Sequence, residues 1–288
     1  MNAVLATAWT SDRLRLDGLF EPPPAAPRRT PPVYAVVLLH GVGANFYGST
    51  VFEPLVAELH KCGIAVLRAN TRGHDAMSTA QTEQGGRLQG AAYEIVDECR
   101  RDVHGWVDWL AARGFSRVGL IGHSLGAIKA VYTQAVEPHE LVRRVAALSP
   151  PRLAQSAFSA EADNMAYRDA IARARALVDA GQRDSLLSVS FPLPLLLSAA
   201  TYLDKYGSDR YDVVPLAPRV NVPALFTYGG QELERGGTAF SGLDTAIRES
   251  TAGGTTQVEV IPDANHVYSR KREELAQRVL AWLFSDST

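Results

Sequence analysis

At 288 residues the chain is long enough for one large domain or two small ones, and a core of that size needs no covalent staple. Hydrophobic residues at 46% and charged residues at 21% exclude a disordered chain. A net charge of −2, without a Lys/Arg-rich block, leaves no electrostatic footprint for nucleic acid or an anionic membrane. The two cysteines, Cys62 and Cys99, form neither a C-x-x-C metal or redox motif nor a disulfide framework. Residues 1–10 lack the basic start and apolar stretch of a secretory signal, and the longest apolar runs fall far short of a membrane span. The expectation is a cytoplasmic globular protein with a small-molecule partner. Oligomeric state is not legible.

Asp12 to Phe20 alternates charged and apolar residues, as a half-buried antiparallel strand or hairpin arm does. The prolines from Pro22 to Pro32 then read as a surface connection. From Val33 onward, short continuous apolar runs alternate with longer amphipathic stretches. The runs are 33–39, 64–67, 118–121, 145–148, 224–228 and 258–261, and burial on both faces is what parallel strands require. Helices are predicted over 52–60, 98–112, 125–135, 242–249 and 272–283, with Gly63, Gly114 and Gly253/Gly254 as terminators. This β–α repetition predicts a doubly wound α/β sheet with right-handed crossovers. The rhythm breaks between Arg152 and Arg219, a stretch too long for a plain loop, with a helical Glu161–Ala180 and a Tyr-rich end. It reads as a helical cap, so residues 1–151 and 220–288 are predicted to form the two parts of the core and 152–219 the insertion.

Gly122-His-Ser124-Leu-Gly126 lies between an apolar run and an amphipathic helix. A strand-to-helix turn of that kind strains the central residue, and glycines two positions either side relieve crowding, so Ser124 is the candidate nucleophile. A serine hydroxyl needs a base. Of seven histidines, His266 in Ile261-Pro-Asp-Ala-Asn-His266 comes just after the last apolar run, where the carboxyl ends of the strands gather chemistry. His60, His104 and His139 lie on helix faces or connections, and His123 is expected to point away from its neighbour Ser124. The acid that orients the imidazole is read as Glu232, in the glycine turn after Ala224–Tyr228, with Glu234 and Asp263 as rivals. The position after Val145–Leu148 begins Ser149-Pro-Pro and offers no carboxylate. Two backbone N–H groups are needed for a tetrahedral oxyanion. Leu125 is next to the nucleophile in sequence, and Val42 sits in His40-Gly41-Val42-Gly43, where His40 is read as a brace. Asn45, Phe46 and Tyr47 beside that loop, with Tyr202 and Tyr206 of the insertion, are predicted to line a mainly apolar substrate pocket.

Four motifs, His40-Gly41-Val42-Gly43, Gly122-His-Ser124-Leu-Gly126, Gly229-Gly-Gln-Glu232 and Asp263-Ala-Asn-His266, together resemble the α/β-hydrolase family over roughly Val33 to Phe284. The resemblance implies the α/β-hydrolase fold, a mostly parallel eight-stranded sheet flanked by helices with a cap after the sixth strand, and acyl transfer to water without a cofactor or metal. Most cap-bearing members carry Asp where this chain has Glu232. Asn70-Thr-Arg72-Gly73-His74-Asp75, with Glu94 to Asp102, is also similar to a subgroup that includes fungal siderophore-ester hydrolases; Arg72 is read as a loop brace. The reading is a serine hydrolase of carboxylic esters, with thioester, lactone or amide substrates as alternatives on the same triad. A ligand-binding module using the capped pocket is the alternative of another class.

Overall fold

The computed structural model describes residues 3–23, 30–82, 85–161 and 163–285; most of the proline-rich connection expected after Glu21, residues 24–29, lies outside them. Strands β1 (Val4–Trp9) and β2 (Arg15–Glu21) pair as an antiparallel hairpin. The first β–α–β unit is β3 (Ala35–Leu39), α1 (Glu53–Lys61) and β4 (Ala65–Ala69). A small ribbon, β5 (Ser78–Thr82) and β6 (Gly85–Gln89), precedes α2 (Cys99–Ala111), β7 (Val118–His123), α3 (Leu125–Val136) and β8 (Val142–Leu148). After β8 come α4 (Gln155–Ala160), α5 (Met165–Asp179), β9 (Leu186–Val189), β10 (Leu195–Ser198), α6 (Ala199–Tyr206) and α7 (Val213–Leu216). The chain then returns to the sheet with β11 (Ala224–Gly229), α8 (Gly230–Arg235), α9 (Leu243–Ser250), β12 (Thr256–Ile261) and α10 (Arg272–Leu283).

The main sheet has eight strands in the order β1-β2-β4-β3-β7-β8-β11-β12. The six from β4 to β12 run parallel, and the β1–β2 hairpin joins β4 antiparallel. Alternate residues of each strand serve opposite faces. Val36 and Leu38 pack with α1 and α10 on one side, whereas Ala35, Val37 and Leu39 join the larger core with α2, α3 and the insertion on the other. This two-sided burial is why the strands read as continuous apolar runs.

The insertion corrects one expectation. It is not purely helical: short apolar runs around Pro192 and Pro194 pair as the β9–β10 hairpin, because proline bars a helix there while each run can still form a ladder. The helix read at 161–180 is α5, which begins at Met165 with Asn164 capping it through the Tyr167 N–H, and a short helix not read from the sequence, α4, precedes it. Phe158, Tyr167, Tyr202 and Tyr206 bury their rings in the same core as the sheet. Among the described residues, no helix is long and apolar enough to cross a membrane and no cluster of metal-ligating side chains occurs.

Candidate active site

Ser124 occupies the turn from β7 to α3 with φ 56° and ψ −123°. That is the mirror image of an extended conformation, which residues with a Cβ rarely adopt. The hydroxyl does not cap α3. Its neighbours explain why the turn closes only with glycines: a Cβ on Gly122 would lie 2.1 Å from the Gly126 carbonyl oxygen, and one on Gly126 would lie 2.1 Å from that of Leu39.

Three loops at the carboxyl edge of the sheet bring distant side chains together. Ser124 Oγ lies 3.0 Å from His266 Nε2, and His266 Nδ1 lies 2.7 Å from Glu232 Oε2. Because a carboxylate only accepts, Nδ1 carries the proton and Nε2 is free to accept from the hydroxyl. Glu232, the third residue of α8, is buried and turns back to accept the Gly229 N–H at 2.6 Å. Its Oε1 also accepts from Ser149 Oγ at 2.5 Å. Ser149 in turn lies 2.7 Å from the Tyr268 hydroxyl, which is 2.8 Å from Thr227 Oγ1. Both carboxylate oxygens are therefore engaged, one by His266 and the other by the protein interior.

Ser149, Tyr268 and Thr227 are contributions that sequence reasoning missed. The Ser149-Pro-Pro segment is legible only as a place without a carboxylate, whereas the Ser149 hydroxyl bonds Glu232, in the helix that follows the neighbouring strand β11. His123 has a further contact that the sequence did not show. Its Nε2 is 2.7 Å from the His266 carbonyl, so Nε2–H donates and steadies the loop that carries His266. Glu234 and Asp263 are both exposed, and Asp263 takes a positive φ of 58° within its turn.

The loop after β3 is held from below. Thr71 N–H donates to His40 Nε2 at 3.1 Å, so His40 carries its proton on Nδ1 and donates to the Gly41 carbonyl at 2.8 Å. Gly41 packs so closely on the elbow that a Cβ there would lie 3.2 Å from Ser124 Cβ. Arg72 braces the adjacent loop through Asp102, Asp12 and Glu98.

Ser124, His266, Val42 and Leu125 open onto a cavity of about 720 Å³, walled by Leu153, Phe158, Phe191, Leu193, Tyr206 and Phe240, with Glu161 and Arg272 as its acidic and basic side chains. Four predicted lining residues are corrected. Asn45 and Tyr47 instead bond to Asp75 Oδ1, at 2.6 and 3.0 Å, and the Phe46 N–H bonds to Asn70 Oδ1; the three are not part of the cavity wall, although Ala44 and Gly48 on either side of them are. Tyr202 is buried behind the wall, with its ring 5.0 Å from that of Tyr206 and its hydroxyl on the Phe191 carbonyl.

Burial and then the charge of Lys129 push His40 down to about 3, while burial and then the His266 ring push His123 down to about 4. Below pH 6.5 the unfolded rings bind protons that the native rings refuse, so stability falls as the pH falls. The unfolding free energy in urea should drop by about 3–4 kcal/mol between pH 7 and pH 5, and His123→Asn should remove about half of that slope. A flat profile would mean that the native rings are protonated.

The sequence profile of the Alpha/beta hydrolase family matches residues 36–278. The curated esterase EstD of Thermotoga maritima is 24% identical over an alignment of 251 positions that covers 84% of this chain and 56% of EstD. The chain thus spans little more than half the length of that curated relative. Among solved structures, the alpha/beta hydrolase GrgF from Penicillium sp. sh18 superposes with a TM-score of 0.71 at 15% identity over 98% of each chain. Est1E from Butyrivibrio proteoclasticus, solved with ferulic acid bound, gives 0.66 at 16% identity over 96% of this chain and 98% of its own. The Pyrococcus furiosus esterase PF2001 gives 0.64 at 18% identity, over 98% and 90%. With the profile spanning most of the sheet and all three loops of the site, the chain belongs to the alpha/beta hydrolase family.

Proposed function

We propose that the protein is a serine hydrolase that cleaves carboxylic esters carrying an apolar or aromatic group. The observation that carries this reading is the His266 ring, bonded on one side to the hydroxyl of a strained serine and on the other to a buried carboxylate. In the first half-reaction Ser124 Oγ attacks the ester carbonyl while its proton passes to His266 Nε2. The Val42 and Leu125 N–H groups receive the oxyanion, and each such donor is typically worth about 3–4 kcal/mol of barrier. The tetrahedral adduct collapses by breaking the bond to the alkoxy oxygen, which leaves as an alcohol with the proton from Nε2. Water then gives a proton to the same nitrogen as it attacks the acyl carbon; the bond to Oγ breaks, Oγ takes the proton back from Nε2, and the carboxylic acid leaves. Glu232 holds the productive tautomer and stabilises the imidazolium in both halves.

The apolar walls of the cavity favour an apolar or aromatic group over a charged one. The relative EstD is named an esterase, and Est1E was solved with the aromatic acid ferulic acid, which agrees with that preference. The test is turnover of p-nitrophenyl esters of increasing acyl length, run beside thioester, lactone and anilide analogues, with fluorophosphonate labelling of Ser124. Preferred turnover of the esters with labelling at Ser124 is expected. Ligand-induced stabilisation without turnover or labelling would overturn the reading in favour of a binding module.

A further inference from the structure

Three fully buried charged side chains lie outside the hydrolytic machinery. Glu94, from the turn after β6, forms ion pairs with Lys129 of α3 and, at 3.2 Å, with Lys205 of α6, and none of the three is more than 1% exposed. Two lysines share one carboxylate, so the cluster carries a formal excess of one positive charge in the interior. Burying charge is unfavourable unless each group is paired, so such a cluster calls for a reason. Room has been made for it: a Cβ on Gly73 would fall 2.2 Å from the Glu94 carboxyl. The two lysines overcome burial and hold Glu94 down to about 2, while burial pulls Lys205 below the ordinary lysine range against the pull of Glu94.

The cluster reaches the hydrolytic site through one hydroxyl. Lys129 Nζ donates to Thr71 Oγ1 at 2.6 Å. That orients the hydroxyl proton toward His40 Nε2, 3.2 Å away, alongside the Thr71 N–H. His40 Nδ1–H then holds the Gly41 carbonyl, which also accepts the Ala44 N–H at 3.2 Å. In a trans peptide the C=O and N–H point in opposite directions, so fixing the Gly41 oxygen also fixes the direction of the Val42 N–H. On its other side the cluster ends in the insertion, where Lys205 also reaches the Ala91 carbonyl and the next residue, Tyr206, lines the cavity.

We propose that Lys205, Glu94 and Lys129 form a buried ionic strut that sets the oxyanion loop through Thr71 and His40, which makes Lys205 a positioning residue supplied by the insertion. The role in hydrolysis rests on the function proposed above; the control of loop geometry does not. An insertion that merely packs on the sheet would affect binding of long substrates. A strut that aims a donor used only in the transition state affects kcat.

The test compares Lys205→Met and Thr71→Val with Asp204→Asn. Asp204 also links α6 to the core, through the Val96 N–H at 2.6 Å and the Tyr211 hydroxyl at 2.8 Å, and it acts on Lys205 only through its charge, with no hydrogen bond on the path to His40. On p-nitrophenyl acetate, whose acyl group is too short to need the apolar walls, Lys205→Met and Thr71→Val should lower kcat by about fivefold or more with KM within twofold, and Asp204→Asn should leave kcat within twofold. Hydrogen exchange should quicken across residues 40–46 in the first two variants and not in the third. Unchanged kcat and exchange in Thr71→Val, or equal losses in Asp204→Asn, would overturn the strut. If the wild-type chain turned over no ester, the functional reading would fail, and exchange in the loop would still decide the strut.

Discussion

Glu232→Gln should lower kcat by about 10³–10⁴-fold while leaving KM and the fold nearly unchanged. The reason lies in which partners of the carboxylate can turn around. Oε1 accepts from the Gly229 N–H and from Ser149, and Oε2 accepts from His266. A backbone N–H cannot reverse its role, so the amide of glutamine must keep its oxygen on Gly229 and present its NH₂ to His266 Nδ1. The imidazole then carries its proton on Nε2 and points a donor, not an acceptor, at Ser124. The geometry survives and the base is lost. Ser149→Ala provides the graded companion, since it removes one of three bonds to Glu232 and leaves the tautomer intact; about a tenfold loss is expected. Steady-state kinetics on one activated ester reads both. Near wild-type turnover in Glu232→Gln would move the acid role away from this residue.

Much of this architecture is legible because it is local. Five of the parallel strands announce themselves as apolar runs, since helices cover them on both faces, while β12 at the sheet edge buries only Val258 and Ile261. Ser124, Glu232 and His266 each come directly after such a run, and the loops leaving the strands meet at the carboxyl edge of the sheet. The residues that escaped the sequence depend on contacts across the fold. Ser149 looks like an ordinary serine until β11 lies beside β8 and brings Glu232 over it. Tyr268 reads as a loop aromatic until its hydroxyl meets Thr227. Asn45, Phe46 and Tyr47 resembled lining residues through proximity in sequence, yet Asp75 and Asn70 offered stronger polar partners than an apolar cavity could. The β9–β10 hairpin was hidden because four-residue strands carry too little periodicity to compete with neighbouring helical signals.

Ser124→Ala and Ser124→Gly should both abolish turnover, by about 10⁴-fold or more, yet differ in stability. Each removes the Oγ that lies 3.0 Å from His266 Nε2, so each leaves the base without a nucleophile to activate. They part company over the backbone. At φ 56° and ψ −123°, any residue with a Cβ is strained by about 1–3 kcal/mol, and alanine keeps that Cβ pressed toward Gly41. Alanine should therefore unfold close to the wild-type temperature. Glycine relieves the strain, less about 0.5–1 kcal/mol for its greater freedom in the unfolded chain, for a net gain of roughly 1 kcal/mol. In a domain of this size such a gain corresponds to about 2 °C in Tm, within reach of calorimetry. The pair thus separates chemistry from strain at a single position. If Ser124→Ala kept even a few per cent of wild-type turnover, the nucleophile would have to be sought elsewhere in the cavity. If Ser124→Gly were no more stable than Ser124→Ala, the elbow would not be storing strain. A dead but more stable Ser124→Gly would instead show that the turn gives up stability to hold its hydroxyl where His266 can reach it.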